Sequence, residues 1–516
     1  MASIGGSDVF ISKLDSNGNF VWAKQMGGAL NNQGISISVD TSGNVYTTGY
    51  FLGTVDFDPG VDTFDLTSAG GFDIFISKLD SSGNFIWAKQ IGGTDNDFGQ
   101  SITTDNSGNA YITGCFIGVV DFDTDTSTYT MTSINYEDIF VLKLNTNGQL
   151  VWAKKAGGPS GESGYSIKTD ASGNVFTAGS FTNTVDFNPA DTLTYYLSTN
   201  GNQDIFILKL DSSGNFAWAK QFGGIGSDYC KSIFVDELDN VYTTGYFVNT
   251  VDFDPDTSTY NFVAAGGSDI FVSKLDSLGT FVWVKQFSGT FNEIGKSIAV
   301  DSSGSVFTCG VFSGMVDFDP DTTFYNLTSA GMSDIYISKL DSSGNLLWAK
   351  QFGNMGDDKN NAIALDPHGN IYSTGGIQFT VDLDPSSSVY TITSIGASDA
   401  YIQKISPCKM TYSTVADTAC GSYLLNGITI TTSGVYYDTL INLSGCDSLI
   451  TINLVINPLI NTILTDTACS SYNFNGTLLT TSGIYYDTLT SISGCDSTIM
   501  LNLFVYTFDT TVTLIG

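Results

Sequence analysis

The chain of 516 residues has no arginine, one histidine, four glutamates and no uninterrupted apolar run of about 20 residues. Each shortage excludes something. Without arginine there is no guanidinium fork to grip phosphate or carboxylate bidentately. Nineteen lysines face 52 acidic residues, for a net charge of −33. A nucleic-acid backbone would be repelled, and no basic stripe is present to displace its counterions. The absence of a long apolar run excludes a helical membrane span. With His368 as the sole imidazole, neither a Ser-His-Asp nor a Cys-His pair is expected, nor a histidine metal site. The opening "MASIGGSDVF" lacks the basic and apolar regions of a signal peptide. Scarce Glu and Arg against 56 Gly, 25 Tyr and 35 Phe is the composition of strands and turns.

What the sequence does contain is a repeat. The six tryptophans, Trp22, Trp87, Trp152, Trp218, Trp283 and Trp348, stand 65 or 66 residues apart in near-identical text. One copy reads "DIFISKLDSSGNFIWAKQIGG" at 73–93 and continues "GQSITTDNSGNAYITGCF" at 99–116. Apolar and polar residues alternate over five to eight positions, as in half-buried strands. Between them lies D-x-x-G-N, in which Asp accepts turn N–H groups and Gly takes the positive φ of a tight hairpin. Four strands and two hairpins per unit predict an all-β fold, a β-propeller of ~65-residue repeats over residues 1–406. The "DIFISKLD" strand occurs seven times and the others six, so the chain starts and stops in mid-blade. Six blades, in which the two half-units complete each other, is the first expectation. Seven is the alternative, with an upstream half-blade outside this chain; Met1 aligns with Leu66 and Met131 in mid-repeat.

From residue 407 a second repeat begins. Residues 417–454 are echoed at 466–503, giving modules at 407–457 and 458–504 and the start of a third at 505–516. Cys420 and Cys446 lie 26 apart, as do Cys469 and Cys495. Pairing within each small module is expected, because units of this size need a staple, and disulfides imply an oxidising, extracellular or cell-surface location. Cys408 is left over. Cys115 and Cys309 read as small core residues.

The acidic pentapeptide "VDFDP" at 55–59 returns at 251–255 and 316–320, with near-copies at 120–124, 185–189 and 381–385. It places Asp121, Asp123 and Asp125 at alternate positions, and likewise Asp252, Asp254, Asp256 and Asp317, Asp319, Asp321. Alternate carboxylates suit a hard cation, so calcium is the one cofactor to consider. The competing reading is a corner, with Val and Phe in the sheet, Asp outward and Pro ending the strand. The tryptophans read as packing between blades. The repeated lysines, such as Lys78 and Lys89, read as solvated or paired with Asp, and His368 as exposed in a turn. No blade carries a distinctive insertion, which argues against an enzyme. A paired-carboxylate glycosidase stays formally open.

The unit "DIFISKLDSSGNFIWAKQ…SIxxDxSGNxYxTGxF…VDFDP" resembles the SBBP-type β-propeller repeats of secreted proteins from Bacteroidetes-like bacteria. The tail resembles the cysteine-containing, adhesin-like modules that follow such propellers. The resemblance implies export, often by type IX secretion, although the usual sorting domain is not seen. It also implies O-glycosylation at D-[ST]-aliphatic triplets such as those at Asp417, Asp438 and Asp487. The function expected is a non-enzymatic extracellular or cell-surface scaffold for adhesion or protein interaction, its partner a protein or glycan. The alternatives are a carbohydrate-binding propeller, calcium-assisted or not, and a glycan-active enzyme.

Overall fold

Alternating apolar residues and Asp-Gly turns fold this chain into strands throughout. A computed structural model describes residues 1–516 except 126, 189–192, 257, 322–323, 386–388, 407–410, 426, 442–446, 491–494 and 508–516. Every regular element among the described residues is a strand. The chain divides into two units, Met1–Pro407 and Cys408–Gly516.

In the first unit, antiparallel four-stranded blades repeat. One runs from an inner strand Phe98–Thr104 through Ala110–Phe116 and Asp138–Leu144 to an outer strand Leu150–Ala156. The middle strands are more buried than their alternation suggests: every residue of Asp73–Leu79 and Ala110–Phe116 is buried. Blades stack face to face, so both faces of a middle strand meet apolar neighbours. Ile74 and Ile76 of one blade share a core with Ile102, Ile112 and Phe140 of the next. Neighbouring inner strands are tied by serine hydroxyls, with the Ile233 N–H donating to Ser166 Oγ at 3.1 Å and the Ile298 N–H to Ser232 Oγ at 3.3 Å.

The recurring Trp and Lys lock adjacent blades. Trp87 Nε1 and Lys78 Nζ each donate to the Thr146 carbonyl in the following blade's turn, both at 3.1 Å. The Lys78 ammonium also lies 4.8 Å from the centre of the Tyr46 ring. Packing between blades, expected of the tryptophans, is therefore observed, while Lys78 is neither solvated nor paired with an Asp.

The half-units do not complete one another. Ile371–Ile377 pairs with Asp399–Ile405, leaving a three-stranded sixth sheet. Val9–Leu14 and Phe20–Gly28 form a separate hairpin that occupies a seventh position. Lys404 Nζ donates to the Ser16 carbonyl at 3.0 Å, the same blade-to-blade bond that Lys78 makes. Two copies of the third strand compete for one partner, and the copy close in sequence closes a loop more than tenfold shorter, an advantage of about 2 kcal/mol. Among the described residues the seventh position has no inner strand, so Ile37 is 55% exposed where its counterpart Ile102 is 3% exposed.

Between the second and third strands of each unit lies the VDFDP hairpin. Thr54–Asp56 pairs with Asp65–Thr67 and runs back to the preceding outer strand through Gly27 and Gly28. Val55, Phe57, Val120 and Phe122 are fully buried, so the Val and Phe do enter the core.

The second unit holds two three-stranded sheets of identical topology, each with a parallel pair. That pairing overturns the expected disulfides. Cys469 ends its strand opposite Tyr506, whereas Cys495 precedes the start of the parallel partner strand Asp496–Tyr506. Parallel in-register strands put these two cysteines at opposite ends, roughly 35 Å apart. Cys420 likewise ends its strand opposite Asn457, far from Asp447 where the partner strand begins. Cys420 instead bonds Cys495 of the other module, with Cα atoms 5.6 Å apart. Cys469 is an exposed free thiol. Cys408 and Cys446 lie outside the described residues.

Candidate functional site

The ring has two ends. At the turn end sit the D-x-x-G-N hairpins; at the loop end the inner strands begin and the longer connections cross. At the turn end, chemistry serves geometry. Asp80 Oδ1 accepts the N–H groups of Ser82 and Asn84 at 2.8 and 2.9 Å, its Oδ2 accepts Asn84 Nδ2 at 2.8 Å, and Gly83 has φ of 81°. These donors hold the Asp80 carboxyl below its ordinary range. The same arrangement recurs at Asp40, Asp105, Asp211 and Asp341. His368 is exposed in one such turn. A cleft of about 480 Å³ opens between two turns, but its Asp105 and Asp170 are held by their own hairpins.

The corner aspartates are similarly committed. Asp121 Oδ1 accepts the N–H groups of Asp123 and Tyr129 at 3.0 and 2.8 Å, Asp123 Oδ1 accepts that of Asp125 at 2.9 Å, and Asp125 pairs with Lys89 at 3.1 Å. Asp252, Asp254 and Asp256 repeat this pattern with Tyr260 and Lys220. So do Asp317, Asp319 and Asp321 with Tyr325 and Lys285. Each triplet is brought together, with carboxylate oxygens directed at backbone N–H groups. Among the described residues, no group of three or more His, Cys, Asp or Glu is arranged to hold a metal ion.

The loop end is different. Five pairs of acidic side chains are buried there, each an Asp that opens a third strand and the acid that precedes the next inner strand: Asp73 and Asp97, Asp138 and Glu162, Asp204 and Asp228, Asp269 and Glu293, Asp334 and Asp358. Asp73 Oδ2 accepts the Ala69 N–H and Gln90 Nε2 at 3.0 and 2.6 Å. Asp97 accepts the N–H groups of Gly93 and Ile117 at 2.7 and 3.0 Å. Burial, reinforced by the neighbouring Asp73, pushes Asp97 up to about 7. Burial with Asp138 nearby pushes Glu162 up to about 9, and burial with Asp269 nearby pushes Glu293 up to about 8. In the Asp138 blade a lysine stands where the others have glutamine, and Lys155 pairs with Asp138 at 3.1 Å.

Here the repeat also loses its symmetry. Four inner strands share the frame G-x-S-I, with C-K-S-I and N-N-A-I at the same register in the other two, and x reads Ile35, Gln100, Tyr165, Lys231, Lys296 and Asn361 around the ring. Two residues earlier stand Gln33, Phe98, Ser163, Tyr229, Ile294 and Lys359. Gln100, Ser163, Tyr165, Cys115, Ser180 and Glu137 line a cleft of about 290 Å³. Beside it the Lys231 ammonium sits 4.1 Å from the Tyr165 ring centre and 4.7 Å from that of Tyr229, which stacks on Tyr246. Burial, with Lys296 nearby, pulls Lys231 down to about 8. The Cys115 thiol is pushed up to about 12 by burial, consistent with a core residue. These axial positions escaped sequence reasoning because symmetry was checked for insertions, whereas here substitution breaks it. Aligning the six inner-strand segments would have shown it.

The family model described as a β-propeller repeat, SBBP, matches residues 21–50, 86–114 and 217–246. The chain is 25% identical over 438 residues to an uncharacterized WD repeat-containing protein, L264, of Acanthamoeba polyphaga mimivirus, covering 72% of this chain and 31% of that protein. It is 26% identical over 166 residues to the regulatory protein FlaEY of Caulobacter vibrioides, covering 31% of this chain and 17% of that one. The chain thus spans less than a third of the length of either curated relative. Among solved structures it is similar to a protein of unknown function from Bacteroides caccae, with a TM-score of 0.32, 9% identity, and coverage of 66% of this chain and 89% of that one.

Proposed function

Since the chain carries SBBP β-propeller repeats, we propose that it is a non-enzymatic, extracellular or cell-surface scaffold that recognises its partner at the loop end of the ring axis. One observation carries this reading: residues that build blades are largely kept from copy to copy, while one axial register runs through Ile35, Gln100, Tyr165, Lys231, Lys296 and Asn361, five residue types in six copies. A position free of folding duty that varies at the mouth of an axis suits recognition. The lone histidine at the opposite end, and carboxylates held by backbone N–H groups, favour binding over turnover. The Cys420–Cys495 bond supports an oxidising compartment.

Thiol counting tests the location. Protein taken from its native cells under acid quench, unfolded and alkylated with a mass tag, should gain at least two further tags after reduction. Eight tags before reduction would place the folded chain in a reducing compartment and remove the extracellular reading. Hydrolase or lyase turnover on polysaccharide substrates, abolished by single carboxylate substitutions, would remove the scaffold reading.

A further inference from the structure

We propose that the axial channel is a binding site for an oxyanion group, phosphate-like or carboxylate, presented by a small soluble molecule. The inference deepens the scaffold reading and rests on it. Acidic residues outnumber lysines 52 to 19 in the chain. The six inner strands reverse that balance. Asn32–Val39, Phe98–Thr104, Ser163–Thr169, Tyr229–Val235, Ile294–Val300 and Lys359–Leu365 contain Lys168, Lys231, Lys296 and Lys359, and no Asp or Glu. These inner strands are therefore cationic within a polyanion.

The lysines are also adjacent. Lys231 and Lys296 each directly precede the serine of the inner ring. The Ile298 N–H bond to Ser232 Oγ ties these two strands at 3.3 Å, and the Ile363 N–H bond to Ser297 Oγ ties the next pair at 3.2 Å. Lys359 follows on that next strand, where Asp357 pairs with it at 3.1 Å. Among the described residues, no carboxylate forms an ion pair with Lys168, Lys231 or Lys296; the six ion pairs found involve other lysines. The lysines of the outer strands, by contrast, have Asp partners at Asp125, Asp256 and Asp321.

Cations gathered against one another in a half-buried wall are costly unless an anion joins them. The burial and the Lys296 charge that depress Lys231 describe that cost. Charged or titratable groups facing Lys231 are Tyr165, Tyr229 and Tyr246 by their rings and Lys296 and Cys230 by proximity. Asp228 acts on Tyr229, while Glu137 and Glu162 line the adjoining cleft. Asp228 is pushed up to about 7 and Glu162 to about 9 by burial, so neither is a full counter-charge at neutral pH. Tyr165, Tyr229 and Tyr246 add hydroxyl donors of a kind that suits oxyanions.

Calorimetric titration of the full chain with inorganic phosphate and with citrate, at pH 7 and ionic strength balanced with sodium chloride, tests this. Saturable binding of one or both is expected, weakened at least tenfold in the Lys231→Met, Lys296→Met double variant. Lys89→Met, which breaks an outer-strand pair, should bind as the unaltered chain does. Binding should be accompanied by proton uptake near pH 8, as an anion restores the Lys231 proton. Phosphate alone would assign a tetrahedral oxyanion, and citrate alone a carboxylate ligand. No saturable heat from either, or undiminished binding in a double variant whose melting temperature is unchanged, would overturn the proposal. A ring that still captures a protein partner but binds neither anion would retain the scaffold reading and lose this one.

Discussion

The two ends of the ring use the same residue, aspartate, in opposite ways. At the turn end Asp80 is partly exposed, surrounded by N–H donors and held below its ordinary range. At the loop end Asp97, Asp228, Glu162 and Glu293 are buried near a second carboxyl group and pushed up. The first arrangement is repeated almost without variation and shapes hairpins. The second surrounds the register at which the blades differ from one another. Burial and partner, rather than residue type, decide what an acidic side chain does.

The largest contrast is in stability between repeated and varied positions. Phe122 is fully buried at a VDFDP corner, with its ring centre 5.3 Å from that of Phe116 and 5.4 Å from that of Phe140. Phe122→Ala should cost about 3–5 kcal/mol. Gln100→Ser, at the varied axial register, should cost under about 0.5 kcal/mol. Urea unfolding followed by tryptophan fluorescence checks both, and similar losses would erase the division between folding and recognition positions.

Next in size is the covalent staple. Its closed loop is 75 residues long, and Cys495→Ser should cost the second unit roughly 2–4 kcal/mol. The ring's own transition should not move. If the ring melts earlier in this variant, the two units do not unfold independently.

The pattern of right and wrong expectations follows from range. Strands, hairpins and corners were legible because D-x-x-G-N and V-D-F act within a few residues: Asp80 caps its own turn, and Val120 and Phe122 enter the core beneath it. The disulfide was not, because 26-residue spacing says nothing about strand direction. Once Asn461–Cys469 runs parallel to Asp496–Tyr506, its cysteine ends up at the far end. Merging of the half-units also failed on a long-range choice, between Val9–Leu14 and Asp399–Ile405 for one partner strand. The axial lysines were missed for another reason: each is an ordinary lysine alone and becomes informative only when neighbouring blades bring them together.

A smaller effect per site sharpens the contrast through pH. Turn-end carboxyls such as Asp80 and Asp366, the latter held at about 2, have folded values below unfolded ones. Their stabilisation is present above pH 4 and lost as pH falls through the folded values. Loop-end acids have folded values above unfolded ones, so the native state holds more protons between about pH 4 and pH 7–9. Their effect is therefore a loss of stability as pH rises through that window, about 1.4 kcal/mol per site for each pH unit. The ring should be most stable in mildly acidic buffer. Glu162→Gln should flatten the decline between pH 5 and 9, and an unchanged slope would mean that Glu162 ionises without penalty.

The smallest expected effect concerns the corners. A divalent cation would need Asp121, Asp123 and Asp125, or their counterparts, to turn several oxygens toward one point. Doing so would strip the N–H groups of Asp123, Asp125 and Tyr129 of their acceptors and release Lys89 from Asp125. Those lost bonds would be set against the metal bonds gained, and they weaken the net affinity at every corner alike. Thermal melts of the full chain in millimolar calcium and in chelator should therefore agree within about 1 °C, since only a ligand held by the folded state raises its melting temperature. A rise of several degrees that disappears in Asp123→Asn, Asp254→Asn, Asp319→Asn would show that the corners rearrange around calcium. The turn end and the corners would then no longer belong together as purely structural uses of aspartate.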